Sequence, residues 1–343
     1  MDLRNLTTHL NSGGNLSSEE IRLAGDFLLD EKTPLEDRVD FLHALHSKGE
    51  TPDEVAGFVE MFLHRAVKPP FSGEDCMDVC GTGGDRAGFF NISTTVMFVA
   101  AGAGVRIVKH GNRGITSKSG GADVLEALGV RIDLPPAATA SALEKAGCCF
   151  LFAPAYHPAF HAVAPVRRAL ASRGCASIFN IIGPLLNPAK PSFQLAGVFD
   201  PALLPTYAAV FQKLGRKQAW AVHGTGPDAF RVDEVSPFGT THVHAASEAR
   251  SWQFTIEASD FDLPKMKICD LAGGDAGTNA RILRGILDGS IQGPPRAVVQ
   301  INAAAAICAA GRAPDMNNAW HHAGESIDNG NALRSLENLR SIA

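Results

Sequence analysis

A short apolar segment carrying Met77 and Val79 runs into Cys80-Gly81-Thr82-Gly83-Gly84-Asp85, and the chain turns helical at Asn91-Ile92-Ser93-Thr94. This order of strand, glycine cluster and helix constrains the fold more than any other stretch. Glycines let a backbone approach a ligand and turn its N–H groups inward. A helix N-terminus behind them favours an anion. The unit is a building block of α/β proteins and a way of holding phosphate. Taken alone, it is equally a tight strand-to-helix turn.

The texture beyond Lys68-Pro69-Pro70 agrees with an α/β fold. Residues 105–108, 149–152, 195–199 and 219–222 read as strands, and 91–102, 122–128, 201–214 and 279–288 as helices. Residues 252–256 add an edge strand, and the alanine-rich stretches 297–310 and 317–329 read as closing helices. Residues 1–68 read as all helix. Ser17-Ser18-Glu19-Glu20 and Thr51-Pro52-Asp53-Glu54 carry capping-box patterns, with Pro52 at a first helical position. Val55, Phe58, Val59 and Phe62 then form one apolar face, suited to packing or to a dimer interface. A chain of 343 residues accommodates such a division. The expected architecture is a small all-helical N-terminal domain, 1–68, and a larger α/β domain, 69–343, with a mostly parallel central sheet.

A net charge of −5 argues against a general nucleic-acid or anionic-membrane surface. Met1-Asp2-Leu3-Arg4-Asn5 has no apolar signal core, and the longest apolar region, 96–108, is interrupted by glycines and Arg106. The seven cysteines lack metal-type spacing, so they read as buried thiols in a reducing compartment. A cytoplasmic protein without nucleic-acid or membrane partners is expected.

Three further clusters carry chemistry. Lys109-His110-Gly111-Asn112-Arg113-Gly114-Ile115-Thr116-Ser117-Lys118-Ser119-Gly120-Gly121 follows a strand, where open α/β sheets bind ligands. Its cations, hydroxyls and glycines suit a phosphate cradle, and a solvated loop is the alternative. Asp233-Glu234 would suit Mg²⁺ beside a phosphate, although most such pairs are surface charges. His157-Pro158-Ala159 is followed by Arg167, nearly three helical turns on. An arginine facing a cleft suits a planar carboxylate, whereas a surface salt bridge is the plainer reading.

The ordered series of these segments resembles the anthranilate phosphoribosyltransferases over almost the whole chain. It includes Ser119-Gly120-Gly121-Ala122-Asp123-Val124-Leu125-Glu126, Ile178-Phe179-Asn180-Ile181-Ile182-Gly183-Pro184-Leu185 and Val299-Gln300-Ile301-Asn302-Ala303. The resemblance implies phosphoribosyl pyrophosphate (PRPP), anthranilate and Mg²⁺, with two ions expected, as ligands. It implies a homodimer formed through the helical part and a PRPP site at the domain cleft. On that reading Gly81, Gly84, Asp85, Asn91, Ser93, Thr94, Lys109, His110, Gly111, Asn112, Arg113, Ser117 and Gly121 hold PRPP. Ser93, Asp233 and Glu234 hold magnesium. Gly81, Asn112 and Arg167 meet anthranilate, with His157 and Pro184 lining its channel. A side chain on Gly81 would block the place where sugar and anthranilate meet.

The chain departs from the family pattern at Phe89, Gly114 and Gly121. About three extra residues fall in 173–177, and about four between His223-Gly224 and Asp233. The implied reaction places the amino group of anthranilate on C1 of the ribose and expels pyrophosphate. The aromatic amine is largely unprotonated at neutral pH, so no acid or base is assigned, and His110 is a candidate only for a minor role. Domain closure about residues 68–70 would exclude water. A pyrimidine-nucleoside phosphorylase-like enzyme and a non-catalytic nucleic-acid-binding paralogue are the alternative readings.

Overall fold

The computed structural model describes residues 2–84, 87–114 and 118–342. Two compact units form. One contains the chain up to Lys68 together with Pro154–Pro188; the other contains Pro69–Ala153 and Ala189 onward. The chain first passes from one unit to the other between Lys68 and Pro69. The second unit is discontinuous, because the chain leaves the sheet after residue 153 and returns at 189. A single cut at residue 68 therefore misses the partition of 154–188.

In the first unit, four helices span Leu3–Asn11, Ser18–Leu29, Leu35–Lys48 and Pro52–His64. Both capping boxes form: Ser17 with Glu20, and Thr51 with Glu54. Phe41, Phe58 and Phe62 are fully buried, and each such side chain contributes about 1.5–3 kcal/mol. The 154–188 segment adds a 3₁₀ turn, Pro158–His161, and the helix Ala164–Ser172. The path from His157 to Arg167 is thus a 3₁₀ turn and then a helix, rather than one continuous helix.

The second unit holds an eight-stranded sheet. Its strands are β1 (Cys76–Gly81), β2 (Arg106–Gly111), β3 (Cys148–Phe152), β4 (Phe193–Gly197), β5 (Gln218–Thr225), β6 (Arg231–Val232), β7 (Thr240–Ala246) and β8 (Ser251–Glu257). The order is β3-β2-β1-β4-β5-β7-β8, with β6 also on β5. The first five strands in that order are parallel; β6 and β7 pair antiparallel with β5, and β8 pairs antiparallel with β7. The chain moves outward from β1 to β3 and then returns to the other side of β1, so β1 and β4 form a topological switch point. Ligands of open α/β sheets bind outside the strand ends at such a point.

The helix Ile92–Gly102 follows β1 and is buried on nearly every side. It packs against Pro294–Ala309, whose alanines allow close approach, and against Asn331–Arg340. Among the described residues, no helix is long and apolar enough to cross a membrane. All seven cysteines are free. Cys76, Cys148 and Cys149 are buried as expected, but Cys269 is exposed.

Candidate functional site

β1 and β4 finish in glycines, β5 carries Gly224 just before its last residue, and each glycine has a steric reason. Gly81 pairs with Gly197 across β1 and β4. A Cβ on Gly81 would lie 2.5 Å from Asp233 Oδ2, and one on Gly197 would lie 1.7 Å from the Asp233 carbonyl oxygen. A Cβ on Gly224, in β5, would meet the Glu234 carbonyl oxygen at 2.6 Å. The Asp233-Glu234 segment therefore crosses directly over the strand ends. What Gly81 leaves room for in this structure is the Asp233 carboxylate.

The expected extra residues before Asp233 build the approach. Gly226 N–H donates to the Phe230 carbonyl at 3.0 Å, with Asp228 and Ala229 at positive φ in the tight turn. β6 then returns antiparallel on Gly224 and Thr225. β7 occupies one edge of Gly224, so β6 lies along the other, beyond the end of β4. This delivers Asp233 to the switch point. Its Oδ2 accepts a hydrogen bond from Gly83 N–H at 2.7 Å. Gly83 and Gly84 have φ of +69° and +93°, a backbone that favours glycine.

The second cradle folds onto the first. Lys109, 4% exposed, leaves β2 and donates through Nζ to the Val79 carbonyl and, at 3.1 Å, to Ser93 Oγ. Its charge thus lies behind the glycine loop. Asp123 accepts from Gly114 N–H at 2.9 Å and Gly120 N–H at 2.8 Å, closing the loop on itself. Gly121 faces Thr94 and Lys109: a Cβ there would be 3.1 Å from Thr94 Oγ1. His110 donates its backbone N–H to Asp78 at 3.3 Å. Asn112 is exposed and accepts from Arg113 N–H at 2.8 Å. Arg113 is paired with Asp123 and Glu126, which raise its pKa. Gly111 ends β2. Asp85 and Ser117 lie outside the described residues.

A cavity of about 780 Å³ opens between these loops, with Gly84, Asn91, Ser93 and Glu234 on its wall. Its wall also includes groups that motif reading passed over: Gly273, Gly274 and the buried Asn279. Asn279 Nδ2 donates to Asn91 Oδ1 at 2.8 Å, while its Oδ1 accepts from Gly274 N–H at 2.7 Å. Asn91 Nδ2 in turn donates to the Ser119 carbonyl at 3.2 Å. Asn91 therefore ties the two loops together instead of capping its helix. Nothing local marks Asn279, which sits 188 residues from its partner.

The residues expected around anthranilate in the first unit have their own setting. His157 is buried, with Nε2 hydrogen-bonded to the Leu186 carbonyl at 2.8 Å and its ring stacked on Phe160 at 5.1 Å. It does not cap the 3₁₀ turn. Arg167 places its guanidinium 5.8 Å from the Phe179 ring centroid. Pro184 is buried in the turn Gly183–Leu185.

Burial lowers the His157 pKa below its ordinary value, against the opposing hydrogen bond to Leu186. The unfolded ring then binds a proton that the folded ring refuses, so stability falls as pH drops through about 6.5. The loss from one histidine reaches at most about 1.4 kcal/mol per pH unit. His223 and His244, also lowered by burial, act in the same direction. Urea unfolding from pH 7.5 to 5.5 is expected to show a shallower pH dependence in His157→Gln than in the wild type. Equal slopes would count against this assignment.

Two family models match: the helical bundle domain of a glycosyl transferase family over residues 4–66, and its a/b domain over 73–333. The anthranilate phosphoribosyltransferase of Moorella thermoacetica is 44% identical over 327 residues, covering 95% of this chain and 94% of that protein. That of Pelodictyon phaeoclathratiforme is 40% identical over 342 residues, covering 100% and 96%. The chain belongs to the anthranilate phosphoribosyltransferase family. Among solved structures, the family's Thermus thermophilus enzyme matches with a TM-score of 0.88 at 32% identity, covering 100% of this chain and 99% of that one. The Saccharomyces cerevisiae enzyme in complex with PRPP and Mg matches at 0.85 and 28% identity, covering 98% and 96%. The chain is accordingly an enzyme, a transferase of the phosphoribosyl group.

The donor set fits the family's magnesium. Among the described residues, no group of three or more His, Cys, Asp or Glu forms a dedicated cage. Mg²⁺ usually takes one or two carboxylates and completes its shell with phosphate and water. Glu234 and Ser93 share a cavity wall, and Asp233 is fixed at the loop beside them. All three offer hard oxygen donors.

Proposed function

We propose that the chain transfers the 5-phosphoribosyl group from PRPP to the amino group of anthranilate at the switch point between β1 and β4, giving N-(5-phosphoribosyl)anthranilate and pyrophosphate. The observation that supports this placement is the crossing of Asp233-Glu234 over Gly81 and Gly197, beside Ser93. Backbone N–H groups of the glycine loop, the start of the helix Ile92–Gly102 and the 109–121 loop hold the phosphates of PRPP. Ser93, Asp233 and Glu234 hold magnesium, as two ions with PRPP. When bound, magnesium neutralises charge that builds on the departing pyrophosphate.

Lys109 adds a fixed positive charge from behind the loop, desolvated and already oriented. Its position costs no reorganisation as charge develops. Asn91 and Asn279 keep the two loops in register, so the reacting centre is presented in one geometry. The nucleophilic amine needs no side-chain base. It attacks C1, the C1–oxygen bond to pyrophosphate breaks, and the amine proton leaves to solvent or to the pyrophosphate. Gly81 and Asn112 contribute to the anthranilate site, and Arg167 holds its carboxylate. His157, uncharged through burial, and Pro184 line the channel. The protein works as a homodimer through its helical unit.

Purified protein is expected to consume anthranilate, followed by its fluorescence, only when PRPP and Mg²⁺ are both present. Persistence of the signal under those conditions would overturn the substrate assignment. Arg167→Ala is expected to raise the anthranilate KM at least tenfold and leave that for PRPP within about twofold, in the range of a lost charged hydrogen bond. Equal effects on both would remove Arg167 from the acceptor site.

A further inference from the structure

We propose that Asn302 is the positioning residue of the acid pair; this rests on the magnesium role proposed above for Asp233 and Glu234. Asn302 lies within the helix Pro294–Ala309 and is 1% exposed. Its Oδ1 accepts from Val235 N–H at 2.8 Å, and its Nδ2 donates to the Val235 carbonyl at 2.9 Å. One side-chain amide thereby takes both backbone groups of one residue, as a neighbouring strand would. Nδ2 also donates to the Val298 carbonyl at 2.9 Å, which fixes the amide on its own helix.

Val235 directly follows Glu234. The acid pair is therefore gripped at both ends, by Gly83 N–H on the Asp233 carboxylate and by Asn302 on Val235. Asn302 also borders a small crevice together with Ser93 and Glu234. The supporting helix is buried along most of its length, so it forms a stiff platform. Asparagine is a poor residue for a buried helix interior, and its desolvation is offset only when its hydrogen bonds are made. A leucine of similar size would serve a position whose sole task was packing. The polar choice is explained by the backbone it holds.

Calorimetric titration of the full-length protein with PRPP, without anthranilate, over a series of Mg²⁺ concentrations tests this. Asn302→Ala is expected to need at least tenfold more Mg²⁺ than the wild type for half-maximal PRPP affinity. Ser326→Ala removes another buried hydrogen bond, to the Val99 carbonyl at 2.8 Å, and controls for general loosening. Its Mg²⁺ requirement should stay within twofold of wild type. Glu234→Gln separates the two ideas. If it shifts the Mg²⁺ requirement and Asn302→Ala does not, the inference is overturned and the metal reading stands. If Glu234→Gln shifts nothing, the metal reading falls and takes the inference with it. An equal shift in Ser326→Ala also overturns the inference. Should Asn302→Ala not fold, amide exchange in the wild type decides: Val235 should exchange as slowly as β5, and exchange at the rate of the 226–230 turn rejects the clamp.

Discussion

Gly197→Ala is expected to lower kcat/KM by about a hundredfold or more while leaving the protein folded. The added Cβ would sit 1.7 Å from the Asp233 carbonyl oxygen and 2.6 Å from its carbon. Both are backbone atoms, so no change of side-chain rotamer relieves the clash. β4 cannot retreat, because Gly197 pairs with Gly81 on one side and Val222 on the other, and its carbonyl accepts from Thr82 N–H at 2.9 Å. The crossing segment must lift instead, and Asp233 then loses its contact with Gly83. Overpacking of this kind costs about 1–3 kcal/mol of stability, and a misplacement of about 1 Å at a reacting site costs about a hundredfold in rate. Gly277→Ala is the control. Its new Cβ would meet nothing nearer than 3.8 Å, and a helical glycine gains about 0.5–1 kcal/mol on becoming alanine. Steady-state kinetics and thermal unfolding of both variants decide the matter. A Gly197→Ala enzyme within threefold of wild type would show that the crossing does not set the site.

What the sequence made legible, and what it hid, divides along the range of the interactions. β1 to β5 are short, largely apolar runs, so local composition marks them. β7 is not marked. Thr240–Ala246 carries two histidines and two alanines, and it is a strand because β5 and β8 pair with it on either side. The helix Pro136–Ala146 begins with a proline, follows Pro135 at its N-cap and carries one large apolar residue, Leu143, so its pattern is not marked as helical. At the site, the residue types are legible as a group, because phosphate and magnesium call for glycine, cations and carboxylates. The partners were not foretold. Asn279, Asn302 and Gly197 act through residues far along the chain, and no spacing rule joins 91 to 279 or 235 to 302. The pairing of Arg113 with Asp123 and Glu126 is likewise a product of the folded loop.

Lys109→Met is expected to reduce kcat/KM for PRPP by about 10²–10³. The ammonium is enclosed between the Val79 carbonyl and Ser93 Oγ, in a slot that water scarcely reaches. Methionine fills a similar length but donates nothing. Val79 and Ser93 then lose a donor in a buried place, at a cost of about 1–3 kcal/mol in stability. The larger effect is electrostatic: a fixed charge in a dry site acts far more strongly on a developing anion than one in water. Lys109→Arg should not restore the wild type, since a planar guanidinium is broader than the ammonium held between the Val79 carbonyl and Ser93 Oγ. The anthranilate KM, measured at saturating PRPP, should stay within threefold. If Lys109→Met unfolds at a lower temperature but keeps kcat/KM within threefold, Lys109 is a cation that supports the loop and takes no part in the transfer.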